Sequence, residues 1–408
     1  MRRRCLLSIV PLLGVSLLAS CDDDGTGPSD PITELPRALS ADERVLIDAS
    51  NTFAFTMLQE LVAEQPGENV FFSPLSASLA LGMTMNGAAG DTWMGMRQAL
   101  GFAGMDEDQI NRGYADLIDL LVGLDPLVEM RIANSVWAGQ GAGLLPDFVQ
   151  RVQQHFDATA DAVDFGAPAT LARINQWVSD GTKGKITRMY DALPSGLVAL
   201  LLNAVYFKGD WTEQFDPTAT VSGPFQAAQG TVTAPLMRRT AELSIFGDDE
   251  ATAVELEYGG GAFTFVAVLP AEDSSPDALV RTLDRDRWVR VTEGLTKQRA
   301  SVVLPRFELE WEKQMNDALA RLGMADAFDP SLADFSRMVQ GGGVWIGEVK
   351  QKSWVSVDER GTEAAAATGV TIPTSLPAEI RLDRPFLFAI RERLSGTVLF
   401  LGVVEDPS

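Results

Sequence analysis

The chain has 408 residues, 46% hydrophobic and 22% charged, with 56 acidic residues against 33 basic ones and a formal net charge of −23. A chain this long buries roughly three quarters of its unfolded surface, so it folds without help from disulfides or metal, and its acidic surface repels nucleic acid and anionic lipid while keeping the protein soluble. The single histidine, His155, excludes a histidine-rich metal site.

At the N-terminus, Met1-Arg2-Arg3-Arg4 is basic, and Leu6 to Leu18 form an apolar run interrupted by Pro11 and Gly14. The run is too short for a membrane span and reads, over residues 1–20, as an export signal. Leu18-Ala19-Ser20-Cys21 resembles the bacterial lipobox, in which the cysteine is lipidated and becomes the first residue; an ordinary cleaved signal is the alternative. The resemblance implies an exported protein held to the bacterial envelope, periplasmic or at the cell surface, by lipid on Cys21 alone. Loss of Arg2, Arg3 and Arg4 leaves 30 basic residues against 56 acidic, or 26 net negative. Cys5 leaves with the signal and Cys21 is used by lipid, so no disulfide, redox pair or thiolate nucleophile remains. Residues 21–40, acidic and bearing Pro and Gly, read as a flexible tether.

Helical periodicity begins near Asp42, with Leu46, Ala49, Phe53, Met57 and Leu61 on one face. From there to the C-terminus no linker or internal repeat interrupts the chain, which predicts a single domain over residues 41–408. His155 falls in an amphipathic helical stretch from Pro146 to Phe156, and no Gly-x-Ser-x-Gly elbow accompanies it, so a Ser-His-Asp hydrolase is disfavoured. Gly341-Gly342-Gly343 lacks the spacing and lysine of a phosphate-binding loop and reads as a turn before a strand. Val344-Trp345-Ile346 and Trp354-Val355-Ser356-Val357 are β-rich.

After that second strand comes Asp358-Glu359-Arg360-Gly361-Thr362-Glu363-Ala364-Ala365-Ala366-Ala367-Thr368-Gly369-Val370. Taken alone it fits an alanine-rich helical turn or linker. It equally fits a strand whose one face, Thr362, Ala364, Ala366, Thr368, Val370 and Ile372, is small or apolar throughout and so suited to burial. The opposite face, Glu363, Ala365, Ala367, Gly369, Thr371 and Pro373, suits solvent or the underside of a covering helix.

This hinge resembles that of the serpins, the serine protease inhibitor family, and five further motifs follow the family's order. They are Asn69 to Ser76 leading into Gly87 to Thr92; Ile174 to Ile186; Leu202 to Trp211; Val303 to Phe307; and Arg384 to Phe388 with Phe400 to Gly402. The resemblance implies an α+β fold with a large mixed central β-sheet, two smaller sheets, about eight or nine helices and an exposed reactive loop over about residues 359–380. It also implies a non-enzymatic, monomeric, cofactor-free inhibitor. A target serine protease attacks the loop and is trapped as a covalent acyl-enzyme when the cut loop inserts into the main sheet as an extra strand. A non-inhibitory binding protein of the same family is the alternative.

Small residues at the hinge are the physical requirement for insertion, because charged or bulky inward groups must be desolvated. Gly361, Thr362, Ala364, Ala365, Ala366 and Ala367 meet it, flanked by Glu359, Glu363 and Thr368. Two counts locate the cut bond. Alignment back from Arg384-Pro385-Phe386 gives Thr374-Ser375, and spacing forward from Glu359 gives Ser375-Leu376; the first is preferred because the motif constrains several residues. Thr374 after Pro373 suits elastase-like or subtilisin-like proteases, and neither candidate is a basic residue for a trypsin-like pocket. Among support residues, Trp211, Glu359 and Arg306 resemble the group where insertion begins, with Glu359 and Arg306 an expected ion pair. Ser73, Ser76 and Asn203 resemble the polar cluster under the sheet centre, where Gln351 stands in place of the family's common histidine and does not titrate near neutrality.

Overall fold

A computed structural model describes residues 31–141, 143–362 and 378–408. The export signal, Cys21, hinge residues Glu363 to Thr368 and both candidate bonds among Thr374, Ser375 and Leu376 lie outside the described residues.

The described residues start ahead of the expected boundary at residue 41. Residues 31–40, read as part of a tether, lie along the body. The Ile32 N–H donates to the Gly260 carbonyl at 2.7 Å, and Arg393 donates to the Ile32 carbonyl at 3.0 Å. Arg37 grips Glu43 with both terminal nitrogens at 2.8 Å. Burial works to raise the Glu43 pKa, but hydrogen bonds from Arg37 and Ser40 outweigh it and hold the carboxylate below its ordinary range. Polar composition hides such docking because it is made largely through backbone groups and two arginines, with Ile32 and Leu39 packed against the core.

Helix α1 (Ala41–Glu64) begins with Ser40 and Glu43 forming a capping box, and the five periodic residues from Leu46 to Leu61 are all buried. Strand β1 (Val70–Phe72) leads to α2 (Pro74–Met85), capped by Ser73, with all but Ala80 of its 12 residues buried. An all-round apolar helix of this kind belongs in a core. Then come α3 (Gly90–Ala99), α4 (Glu107–Leu121), β2 (Val128–Gly139), α5 (Pro146–Phe156), β3 (Thr159–Val163), α6 (Pro168–Gly181) and β4 (Ala199–Asp210). The antiparallel run β5 (Val221–Ala227), β6 (Gly230–Gly247), β7 (Ala251–Tyr258) and β8 (Phe263–Pro270) precedes α7 (Pro276–Thr282) and α8 (Arg285–Glu293). Strands β9 (Thr296–Pro305) and β10 (Phe307–Gln314) are followed by a kinked helical run over residues 316–328, broken where Gly323 takes φ +115°. The chain ends with β11 (Lys350–Val357), β12 (Gly361–Thr362), β13 (Ala378–Arg381), β14 (Phe386–Glu392) and β15 (Val398–Val404).

The largest sheet is mixed, in the order β1-β15-β14-β8-β7-β6-β9-β13 with β5 beside β6; β13 is parallel to β9. Two smaller groups are β12-β4-β2-β3, in which β2 and β3 run parallel, and the antiparallel pair β10-β11. Val344-Trp345-Ile346 is not a strand. Gly341, Gly342 and Gly343 all have positive φ, and the Ile346 N–H is committed to the Ala327 carbonyl at 2.9 Å, so the ladder starts only at Lys350.

Candidate functional site: a strand-accepting slot

Strands β4 and β11 flank each other without pairing, and among the described residues the edge of each facing the other has a strand partner only at the top of β4. There Gly361 and Thr362 pair antiparallel with Asp210 and Gly209. Unpaired edges in a protein interior carry a row of unmet hydrogen-bond donors and acceptors. Among the described residues a cavity of about 290 Å³ lies between the rims, lined along both strands.

The chain reaches the slot through a tight hairpin. The Asp358 carboxylate accepts from the Arg360 and Gly361 N–H groups at 2.8 and 3.2 Å, and the Asp358 N–H donates to the Gly361 carbonyl at 3.0 Å. Gly361 has φ +141°, and a Cβ there would stand 2.3 Å from the Gly209 carbonyl oxygen, so no other residue fits. Trp211 fixes the hairpin from below: its indole donates to the Asp358 carbonyl at 2.9 Å, its backbone N–H to the Arg360 carbonyl at 2.7 Å, and its ring stacks on Tyr258 at 4.4 Å.

Glu359 is buried, accepting from the Thr220 hydroxyl at 2.7 Å, with Arg306 Nη1 3.7 Å from Glu359 Oε1; its carbonyl takes the Phe215 N–H at 2.8 Å. The structure therefore brings Trp211, Glu359 and Arg306 to one place. It adds Thr220, Phe215, Tyr258 and Arg239, for which the sequence carried no motif. Arg239 lies over the Phe215 ring at 5.2 Å, and burial pushes its pKa down to about 10, with Glu213 and Glu257 opposing. Burial likewise raises the Asp210 pKa, helped by Asp358.

Halfway down the slot the expected polar cluster is divided between its two sides. Ser73 and Gln351 form a reciprocal pair: the Ser73 N–H donates to Gln351 Oε1 at 3.2 Å, and Gln351 Nε2 donates to the Ser73 carbonyl at 2.8 Å. The Ser73 hydroxyl donates to the Leu399 carbonyl at 2.8 Å and accepts from the Ser76 N–H at 3.1 Å. Asn203 does not join them. Its amide donates to Asn134 Oδ1 at 2.7 Å, and its own Oδ1 is buried with no hydrogen-bond partner among the described residues. Asn203 sits on β4 and Gln351 on β11, so the slot itself separates them.

Val178 of α6 and Ile186, Met189 and Tyr190 of the segment after it also line the cavity. His155 is elsewhere, half-buried on α5, where burial is the main cause lowering its pKa. Among the described residues no group of three or more His, Cys, Asp or Glu is placed to hold a metal, and no helix is long and apolar enough to cross a membrane.

The family model described as serpin (serine protease inhibitor) matches residues 48–407. The chain is 34% identical to the leukocyte elastase inhibitor of Bos taurus over 88% of this chain and 99% of that protein. It is 31% identical to the corticosteroid-binding globulin of Homo sapiens, covering 90% and 92% respectively. The native-state crystal structure of the thermophilic serpin tengpin superposes with a TM-score of 0.82 at 29% identity, covering 93% of this chain and 97% of that one.

Proposed function

The chain belongs to the serpin family, and on that premise we propose that it inhibits a serine protease by inserting its cut reactive loop into the slot between β4 and β11. The observation that carries this reading is the slot: among the described residues two rims stand unpaired below Gly209, with the hairpin feeding the chain into the upper end at Gly361 and Thr362. In this reading the protease serine attacks the Thr374 carbonyl carbon, Ser375 leaves as a new amino terminus, and the ester remains on the segment tied to β11. Ser375-Leu376 is the alternative bond. Insertion then satisfies the backbone groups of both rims at once and carries the acylated protease along before water reaches the ester.

Pro373 and Thr374 suit an elastase-like or subtilisin-like target, and the likeness to a leukocyte elastase inhibitor supports that class. Gln351 replaces a titratable side chain by an amide whose hydrogen bonds to Ser73 do not depend on pH near neutrality. In the same reading Cys21 carries the lipid that holds the exported protein to a bacterial envelope. A second reading, a binding protein that does not inhibit, draws on the likeness to a corticosteroid-binding globulin. Incubation with a panel of serine proteases separates the two. Inhibition gives a complex that survives boiling in detergent, whereas cleavage of the loop with the protease left fully active would support the second reading.

A further inference from the structure

Residues 217–237 carry no charged side chain over 21 positions, in a chain of which 22% is charged. The comparable run over residues 69–90 needs no charge, because it forms β1 and the buried α2. This one lies at the surface. It holds a short helical turn (Pro217–Ala219), β5 and the start of β6, paired antiparallel from Val221 with Leu236 to Ala227 with Gly230. The hairpin buries Phe225, Ala234 and Leu236 on its inner face. Ser222, Pro224 and Gln226 of β5 and Thr231 and Thr233 of β6 are exposed on the other, where the Thr231 hydroxyl donates to Gln226 Oε1 at 2.8 Å. Strand propensity explains the threonines and valines. It does not explain why Asp, Glu, Lys and Arg are missing from an exposed face, where such residues are ordinarily found.

The hairpin joins the two legs of the reactive loop. At its start the Thr220 hydroxyl donates to Glu359, where the chain leaves β11, at 2.7 Å. Near its tip the Gln226 N–H donates to the Asp383 carbonyl, just past β13, at 2.8 Å. Charges bordering both legs are neutralised in place. Arg306 stands 3.7 Å from Glu359, Arg238 pairs with Glu379, and Arg381 pairs with Glu379 and Asp383 at 2.9 Å each. Three arginines thus meet three carboxylates at the base of the loop, in a chain with a net charge of −23. A protein this acidic repels an acidic partner over most of its surface, and the hairpin is where that repulsion is absent.

We propose that the outward face of the β5–β6 hairpin, at Ser222, Pro224, Gln226, Thr231 and Thr233, is an accessory contact surface for the target protease, and that its lack of charge fits a serine protease with an acidic surface around its active site. The inference rests on the inhibitory reading above. A protease engaged on the loop between Glu359 and Asp383 is brought against the strand that links these two residues, so the contact adds to recognition of Pro373 and Thr374 without touching the cut bond. A basic target would be served by the opposite composition, since carboxylates on this face would steer it in.

The probes are two serine proteases that cleave after small residues, a subtilisin-like one of net negative charge and an elastase-like one of net positive charge. Each is reacted with the intact chain, and the rate of forming the detergent-stable complex is measured together with the stoichiometry of inhibition. Against the acidic protease, Thr233→Glu is expected to react roughly three- to tenfold more slowly than wild type at low salt and to recover most of that loss at high salt, whereas Thr233→Lys reacts at least as fast as wild type. Against the basic protease the order of the two variants reverses. Stoichiometry stays at the wild-type value in both, and Val45→Glu, at an exposed position on α1, leaves every rate unchanged. Equal rates for all variants, with the wild type still inhibiting, overturn the contact surface and leave inhibition standing. Slowing by both Thr233 substitutions against one protease, or slowing by Val45→Glu as well, also overturns it, because the effect is then not one of local charge. No complex from any form, the wild type included, overturns the inhibitory reading and the contact surface with it.

Discussion

The two halves of the β-structure solve opposite problems. In β8, β14 and β15 every residue is buried and every strand is paired on both sides, with Phe388 stacked at 5.2 Å on Phe265 and 5.6 Å from Phe71. In β4 and β11 burial alternates, facing edges stay unpaired and a buried amide oxygen on Asn203 has no partner among the described residues. Among the described residues, the facing edges of β4 and β11 make strand hydrogen bonds only at Asp210 and Gly209, and under the proposed function that gap is where the cut loop is taken up.

The sharpest way to break this comparison is to cut the loop anywhere between Gly369 and Leu376. Heat resistance is expected to rise well beyond what one contact supplies, because a full strand and its inward face of Ala364, Ala366, Thr368 and Val370 become buried together. Thermal unfolding of cut and intact protein in one buffer checks it; a cut form melting at or below the intact one removes loop uptake from the account.

The paired region should respond as an ordinary core. Phe388→Ala, which removes contacts to Phe71, Phe265 and Phe307, is expected to destabilise both the intact and cut forms by about 3–5 kcal/mol, measured by denaturant titration. A loss confined to one form would mean that the regions are not independent.

Hinge substitutions should do the reverse, sparing the intact fold and penalising insertion. Thr362→Arg or Ala364→Glu places a charge on the inward face, at a cost of several kcal/mol on burial. Each variant should shift from inhibitor to substrate, read as a raised stoichiometry of inhibition against an elastase-like protease. An unchanged stoichiometry in both would contradict the inward assignment.

Titration distinguishes the regions again. Burial, with Asp277 adding to it, pushes the Glu405 pKa up to about 7 from its ordinary 4.5, at the end of the paired strand β15. The folded chain therefore holds a proton that the unfolded chain has lost, and this group's contribution makes stability fall as pH rises from 4.5 through 7. Glu405→Gln is expected to flatten that part of the stability profile; a profile unchanged by the substitution rejects the assignment. The smallest effect is expected at the slot's upper rim. Arg306 is half exposed and 3.7 Å from Glu359, so Arg306→Gln should cost about 0.2–1 kcal/mol and lose most of that difference in high salt.

Sequence alone determined the family resemblance and the periodic face of α1, because each depends on local pattern: the order of short motifs, and helical period. It also placed Glu359 with Arg306 through motif correspondence. Tertiary structure decided the rest. Asn203 and Gln351 were grouped by motif but stand on opposite rims, since no local pattern reports which edges of a sheet remain unpaired. The segment Val344–Ile346 has strand composition, yet the glycines before it and the bond from Ile346 to Ala327 withhold it from the ladder. Residues 31–40 dock through backbone carbonyls that composition does not encode, and Lys185 meets Trp354 across 169 positions of chain. Contacts of that separation are set by how the sheets and α6 come together, and only the folded chain puts a cation from the segment after α6 over a ring on β11.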